Sequence, residues 1–76
     1  MKIGKVTGAV WSSRKAPSLM GQTFLVVDTP EGQVVAADQV GAGTGDRVLL
    51  ACGTVASRFC MEAPIDAAVV AILDQK

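Results

Sequence analysis

The sequence contains no histidine, and it has only two cysteines among its 76 residues. Because zinc sites are built mainly from histidine and cysteine, this composition argues against a zinc site. The serines have no histidine that could activate them as nucleophiles. We therefore predict a protein that is not an enzyme, with no catalytic residues, no metal site and no cofactor.

The sequence also lacks an excess of basic residues, since seven Lys and Arg balance seven Asp and Glu. Nucleic-acid affinity comes largely from lysines and arginines that neutralise phosphates, so a nucleic-acid partner is not expected. No apolar run approaches the ~20 residues that a membrane span requires. No apolar run follows residues 1–5 as a signal peptide would require. We therefore expect no membrane partner and no export.

Aromatic residues make up only 4% of the chain, although 50% of it is hydrophobic, with much Ala and Val. A chain of this length forms one domain, and small side chains give it a thin core. We therefore predict that the chain associates with itself, which would bury apolar surface that its thin core leaves exposed. Cys52 and Cys60 are predicted to be buried free thiols, because nothing in the sequence indicates an oxidising compartment. Trp11, the single tryptophan, is a candidate interface anchor.

Short apolar runs rich in β-branched residues predict five strands. A bulge near Gly4 or Lys5 would bring Ile3 and Val6 onto one face of the first strand. Short strands separated by turn signals predict a small antiparallel barrel or sandwich. The predicted strands are residues 2–13, 22–28, 33–38, 47–52 and 67–73.

The segments between the strands carry turn signals. Thr29-Pro30-Glu31-Gly32 predicts a tight turn that joins the second and third strands into a hairpin. Residues 14–21 contain Pro17, Ser18 and Gly21 and are predicted to form a loop. Residues 53–58 could form one helical turn, with Thr54 as a possible cap.

The segment Gly41-Ala42-Gly43-Thr44-Gly45 has glycine at every second position. A dinucleotide-binding loop of this composition would be followed by a helix, whereas residues 47–50 predict a strand. Close packing of the backbone against another surface is therefore the preferred interpretation. Asp38 and Asp46 flank the loop, and we predict that each accepts hydrogen bonds from nearby backbone groups rather than acting as an acid/base pair.

The segments in this order resemble the bacterial microcompartment vertex proteins of the EutN/CcmL family. The run Ala36-Ala37-Asp38-Gln39-Val40-Gly41-Ala42-Gly43-Thr44-Gly45-Asp46 is the most specific part of the resemblance. The other matching segments are residues 2–10, 15–21 and 64–74, so that the resemblance extends over nearly the whole chain.

The resemblance implies an all-β fold, a five-stranded OB-like barrel with one short helical turn, that assembles as a homopentamer. Such pentamers close the five-fold vertices of polyhedral shells whose faces are tiled by hexameric shell proteins. The implied location is the microcompartment shell in the bacterial cytoplasm. A ring formed by head-to-tail contacts would supply the burial that a thin-cored barrel lacks.

For such a pentamer we predict three groups of site residues. Residues expected at the subunit interface are Val40, Gly41, Ala42, Gly43, Thr44, Gly45 and Asp46. Residues expected near the central pore are Gly53, Thr54, Val55 and Ala56. A loop expected to face the hexameric tiles includes Arg14, Lys15, Ser18 and Leu19.

The chain departs from the family pattern in two places. The family commonly has a longer excursion between its second and third strands than Thr29-Pro30-Glu31-Gly32. It also favours Gly-Ser-Ala-Ala-Arg after the fourth strand, where this chain has Gly53-Thr54-Val55-Ala56-Ser57-Arg58. The residues that line the pore are therefore the ones for which the family pattern is the weakest guide.

Two other functions are compatible with the sequence. An OB-type module could bind single-stranded nucleic acid or a small ligand, although such modules use stacking aromatics and a basic groove. A redox switch could use Cys52 and Cys60. Loss of any oxidation response on replacing both cysteines with serine would be the mark of such a switch.

Overall fold

The computed structural model describes residues 1–53 and 65–74. It confirms all five predicted strands within these residues, with boundaries that differ by at most three residues. One 3-10 turn, Pro17–Leu19, lies in the segment predicted as a loop. The helical turn predicted at residues 53–58 falls almost wholly outside the described residues. The strands are β1 Lys2–Val10, β2 Phe24–Thr29, β3 Gly32–Asp38, β4 Arg47–Cys52 and β5 Ala67–Ile72.

The five strands close into a barrel in the order β1-β2-β3-β5-β4. All neighbouring strands are antiparallel except β3 and β5, which are parallel with Ala37 opposite Ala68. The prediction of a purely antiparallel sheet was therefore wrong for this pair. Directions must alternate around an antiparallel barrel, so a closed barrel with an odd number of strands requires one parallel contact.

Strand β1 has its bulge at a different place from the one predicted. Burial alternates along the strand, so that Gly4 and Val6 face the barrel interior while Ile3 and Lys5 face outward. The register against β2 shifts between Val6 and Gly8, not near Gly4 or Lys5. The expectation that Ile3 and Val6 share a face was also wrong, because Val6 is buried in the barrel whereas Ile3 is exposed on its outer side.

The barrel interior is filled by aliphatic side chains contributed by all five strands. Val27, Val48, Leu50 and Val69 are completely inaccessible to solvent. Half-buried Val34, Ala42 and Cys52 pack against this core from its margins. The buried members of the core are Val6, Leu25, Val27, Ala36, Val48, Leu50, Ala67 and Val69.

The predicted turn between β2 and β3 is confirmed as a tight hairpin in which Thr29 pairs with Gly32. The Thr29 hydroxyl donates to the Gly32 carbonyl oxygen at 2.8 Å and accepts from the Glu31 N–H at 3.3 Å. Lys2 Nζ lies 2.8 Å from Glu31 Oε2, which ties the start of β1 to this turn. The hydrogen bond and charge of Glu31 raise the pKa of Lys2 above its ordinary value.

Candidate assembly surface

The glycine-rich segment between β3 and β4, residues 39–46, is fastened to the barrel at both of its ends. The Gln39 N–H donates to the Val69 carbonyl oxygen at 3.1 Å, which holds the start of the loop against β5. The Gly45 N–H donates to the Val6 carbonyl oxygen at 2.8 Å, and the Val6 N–H donates to the Asp46 carbonyl oxygen at 2.9 Å. The loop therefore continues the pairing of β4 with β1 and has a defined shape.

The two aspartates that flank the loop act as hydrogen-bond acceptors, as predicted. Asp38 Oδ1 accepts from the backbone N–H groups of Val40 at 3.0 Å and Gly41 at 3.1 Å. Asp46 Oδ2 accepts from the Gly43 N–H at 2.9 Å, and the Asp46 N–H donates back to the Gly43 carbonyl oxygen at 3.0 Å. Each carboxylate therefore orders one half of the loop.

Asp38→Ala is expected to lower the free energy of unfolding by about 1 kcal/mol, because it leaves two loop N–H groups without an acceptor. In a domain of this size the melting temperature should fall by about 4–8 °C. The measurement is thermal unfolding at fixed protein concentration. Asp28→Ala is the matched control, since the exposed side chain of Asp28 makes no hydrogen bond or ion pair in the described residues. A melting temperature unchanged relative to that control would contradict the role of Asp38.

The three glycines of the loop differ in whether their backbone conformation requires glycine. Gly41 and Gly45 have φ angles of +78° and +96°, which side chains of L-residues rarely adopt. Gly43 has no positive φ, and a Cβ built on it would meet nothing within 4 Å. Nothing within the described chain therefore requires glycine at position 43.

The seven residues predicted at the subunit interface occupy one continuous segment but have different surroundings. Ala42 turns inward and packs against the barrel core, and Asp46 is half-buried. The other five residues, Val40, Gly41, Gly43, Thr44 and Gly45, are exposed. They form a surface of small side chains in which Val40, 41% exposed, is the largest aliphatic group.

The loop after β1 contains the residues predicted to face hexameric tiles. Arg14, Lys15 and Ser18 are exposed and Leu19 is half-buried. The 3-10 turn orders this loop, since the Leu19 N–H donates to the Ala16 carbonyl oxygen at 2.9 Å. The segment 11–20 contains two basic residues and no acidic residue, so it presents a positive surface.

Of the residues predicted near the pore, Gly53 is described, while Thr54, Val55 and Ala56 lie outside the described residues. The Gly53 N–H donates to the Asp66 carbonyl oxygen at 2.7 Å, which joins the end of β4 to the start of β5. Gly53 borders an open groove of about 440 Å³ together with Lys2, Val35 and Cys52. Cys52 is a half-buried free thiol, and Cys60 lies outside the described residues.

Across residues 1–53 and 65–74, no three His, Cys, Asp or Glu side chains come together as a metal-binding group. The same part of the chain has no buried polar side-chain atom without a hydrogen-bond partner. It also contains no helix of the length and hydrophobicity needed to cross a membrane.

One surface feature was missed by the sequence reasoning. Met1, Ile3, Pro30 and Leu49 line an open hollow of about 420 Å³, which Lys2 and Glu31 complete. Ile3 and Leu49 are directly opposed across β1 and β4, and Ile3 is 49% exposed. The alternation of apolar residues in β1 was the available signal, but it was interpreted with a bulge in the wrong place.

A closed five-stranded barrel with ordered loops of small residues and exposed aliphatic side chains defines a small β-barrel protein suited to contacts with other proteins. A model of the family described as ethanolamine utilisation protein EutN/carboxysome matches residues 1–74. The chain belongs to this EutN/CcmL family.

Relatives of the chain match it over nearly its whole length. The carboxysome shell vertex protein CcmL of Synechococcus elongatus is 49% identical over 83 residues, covering 97% of this chain and 84% of the relative. The microcompartment shell vertex protein PduN of Salmonella typhimurium is 42% identical, covering 97% of this chain and 96% of the relative. The first match spans more residues than the 76 of this chain, so that relative has residues without a counterpart here.

Solved structures match the barrel closely. The GrpN pentameric microcompartment shell protein from Rhodospirillum rubrum superimposes with a TM-score of 0.88 at 40% identity, covering 99% of this chain and 95% of that chain. CcmL of Nostoc sp. PCC 7120 gives a TM-score of 0.91 at 40% identity, covering 100% of this chain and 92% of that chain.

Proposed function

We propose that this chain is a structural shell protein, not an enzyme, and that five copies form a ring closing a five-fold vertex of a polyhedral bacterial microcompartment. The observation that carries the proposal is the full-length match to relatives named shell vertex proteins, one of them solved as a pentameric shell protein. Its place would be the microcompartment shell in the bacterial cytoplasm, with hexameric shell proteins as neighbours.

The surface of the barrel supports self-association on physical grounds. Eight large hydrophobic side chains of the described residues are exposed, and contacts between copies would bury some of them. Among these side chains, Trp11 is 88% exposed and Met1 is 73% exposed, so neither contributes much to the core of its own barrel. A ring of copies would remove such groups from water without any change in the fold.

The glycine-rich loop is proposed as part of the subunit interface, involving Val40, Gly41, Ala42, Gly43, Thr44, Gly45 and Asp46. Gly43 supports this assignment, because neither its φ angle nor its surroundings in the chain require glycine. Close approach of the backbone of a neighbouring subunit would explain why glycine occupies position 43. Ala42 and Asp46 would act indirectly, by holding the loop in shape from the barrel side.

Gly43→Ala is expected to leave the fold of the single chain intact and to weaken the ring. The added Cβ has open space within the chain, but it would lie between two backbones if a neighbour packs on the loop. Overpacking of this kind typically costs about 1–3 kcal/mol, which corresponds to an association weaker by roughly five- to 150-fold. The measurement is native mass spectrometry over a dilution series.

Gly8→Ala is the matched control for Gly43→Ala. Gly8 also has open space around a built Cβ and no positive φ, but it lies in β1 rather than in the loop. Equal ring stability for Gly43→Ala and Gly8→Ala would remove the loop from the interface.

The remaining two site groups follow the same proposal. Arg14, Lys15, Ser18 and Leu19 are proposed to face the hexameric tiles, where the positive charge of this loop would favour an acidic edge on the partner. Gly53, Thr54, Val55 and Ala56 are proposed to lie near the central opening of the ring.

Native mass spectrometry of the purified chain tests the proposal directly. Five copies of a 7.8 kDa chain give a species of about 39 kDa. A chain that stays monomeric at micromolar concentration would overturn the vertex function. In that case a salt-dependent shift of a labelled oligonucleotide would be the next test, because it would support the alternative of an OB-type binding module.

A further inference from the structure

Two exposed apolar patches lie at the two ends of strand β1. The first is the N-terminal hollow, formed by Met1, Ile3, Pro30 and Leu49. The second is the Trp11 patch, formed by the consecutive residues Val10 and Trp11, which are 41% and 88% exposed. The two patches differ in shape, because the first is concave whereas the second presents a projecting indole ring.

The separation of the two patches suits a head-to-tail ring. Such a ring requires two different surfaces on each copy, one for each neighbour. Ile3 and Trp11 are eight residues apart along β1 and the chain that leaves it. At about 3.3 Å per residue, the strand places them on the order of 25 Å apart. The two patches can therefore face opposite neighbours.

The chemistry of the hollow fits an aromatic side chain. Its walls are the aliphatic groups of Ile3, Leu49 and Pro30, which offer an apolar surface to the body of an indole ring. The Lys2–Glu31 ion pair stands at the rim, where Glu31 can accept a hydrogen bond and Lys2 can lie near a ring face. The described chain itself places no aromatic residue in this hollow.

We propose that Trp11 of one copy inserts into the N-terminal hollow of the next copy around the ring. This inference rests on the proposed function, since it assumes a ring of identical copies. Each copy supplies one tryptophan and one hollow, so every contact in the closed ring is the same. The contact is directional, because the concave and projecting surfaces cannot exchange roles.

Trp11 is the only tryptophan, so selective excitation of tryptophan fluorescence reports on this side chain alone. In the assembled ring its emission should shift to shorter wavelength, and quenching by acrylamide should fall relative to the dissociated chain. Trp11→Ala should weaken self-association at least about tenfold, as expected for a buried interface tryptophan. Because Trp11 is 88% exposed, its removal should leave the folded chain unchanged.

Ile3→Lys places a charge in the hollow on a side chain that is already 49% exposed. We expect this variant to lose the blue-shifted emission of Trp11 and to dissociate at a concentration at least about tenfold higher than the parent. Ile72→Lys is the matched control, since Ile72 is the same residue type, is 44% exposed and lies outside the hollow. Circular dichroism of both variants checks that the barrel is retained.

The outcomes separate this inference from the proposed function. A parent chain that forms no ring would overturn the proposed function itself. A ring in which Trp11 remains fully open to acrylamide would overturn the inference alone. A ring in which Trp11 is protected equally in Ile3→Lys and Ile72→Lys would also overturn it, because the tryptophan would then be buried elsewhere. Loss of protection in Ile3→Lys only would support it.

Discussion

Gly4→Ala is expected to destabilise the folded chain by roughly 3 kcal/mol, at the upper end of the range for overpacking. A Cβ at position 4 would lie 2.5 Å from Val27 Cγ1 and 2.7 Å from the Asp28 carbonyl oxygen. Val27 is completely buried, and Asp28 contributes a backbone atom of the paired strand β2. Neither neighbour can move without disturbing the β1–β2 pairing, so the added methyl group must displace a strand.

Urea unfolding followed by circular dichroism measures this effect, at one protein concentration because self-association also stabilises the folded state. Gly8→Ala is the control within the same strand, since a Cβ there meets nothing within 4 Å. It should be neutral, or stabilising by up to about 1 kcal/mol through reduced freedom of the unfolded chain. Similar urea midpoints for the two variants would show that β1 does not pack against Val27 as described.

Leu50→Ala is expected to cost about 2–5 kcal/mol, as truncation of a buried leucine generally does. Leu50 is completely buried, and it is among the largest fully buried side chains in a core otherwise rich in Val and Ala. The neighbouring small side chains cannot extend into the space it leaves, so a cavity should persist. A fall in the urea midpoint with an unchanged slope is the expected result.

The adjacent residue gives a matched control for Leu50→Ala. Leu49 lies on the same strand but is only half-buried and borders the N-terminal hollow on the outer surface. Leu49→Ala should therefore cost much less folding stability and, on the proposed ring contact, should mainly weaken assembly. A cost of unfolding for Leu49→Ala equal to that for Leu50→Ala would contradict the inward and outward assignment of β4.

Several features of this protein could be predicted from the sequence because they depend on residues that are close together in the chain. Thr29-Pro30-Glu31-Gly32 forms a tight turn because the backbone preferences of these residues act over four positions. Asp38 and Asp46 bind backbone N–H groups two or three residues away, so their role also depends on near neighbours. The five strands were found because β-branched residues cluster in short runs.

Features that depend on contacts between distant segments could not be predicted from the sequence. The bulge lies between Val6 and Gly8 because β1 must keep its pairing with β2 while β4 and the glycine-rich loop pair with its other edge. The inward position of Gly4 depends on Val27, which arrives from another strand. With the bulge misplaced, Ile3 was expected on the same face as Val6, and the hollow that Ile3 lines was missed.

The sequence by itself determined the strands, the turns, the capped glycine-rich loop and the family, because these are recorded in local residue preferences and in a specific run of residues. Only the tertiary structure decided which residues face outward and which surfaces lie at opposite ends of β1. Closure of five strands forces one parallel pair and fixes the register of every strand relative to two neighbours. The register depends on the pairing of distant strands and cannot be predicted from any one segment. It determines that Leu50 is buried and that Ile3 is exposed.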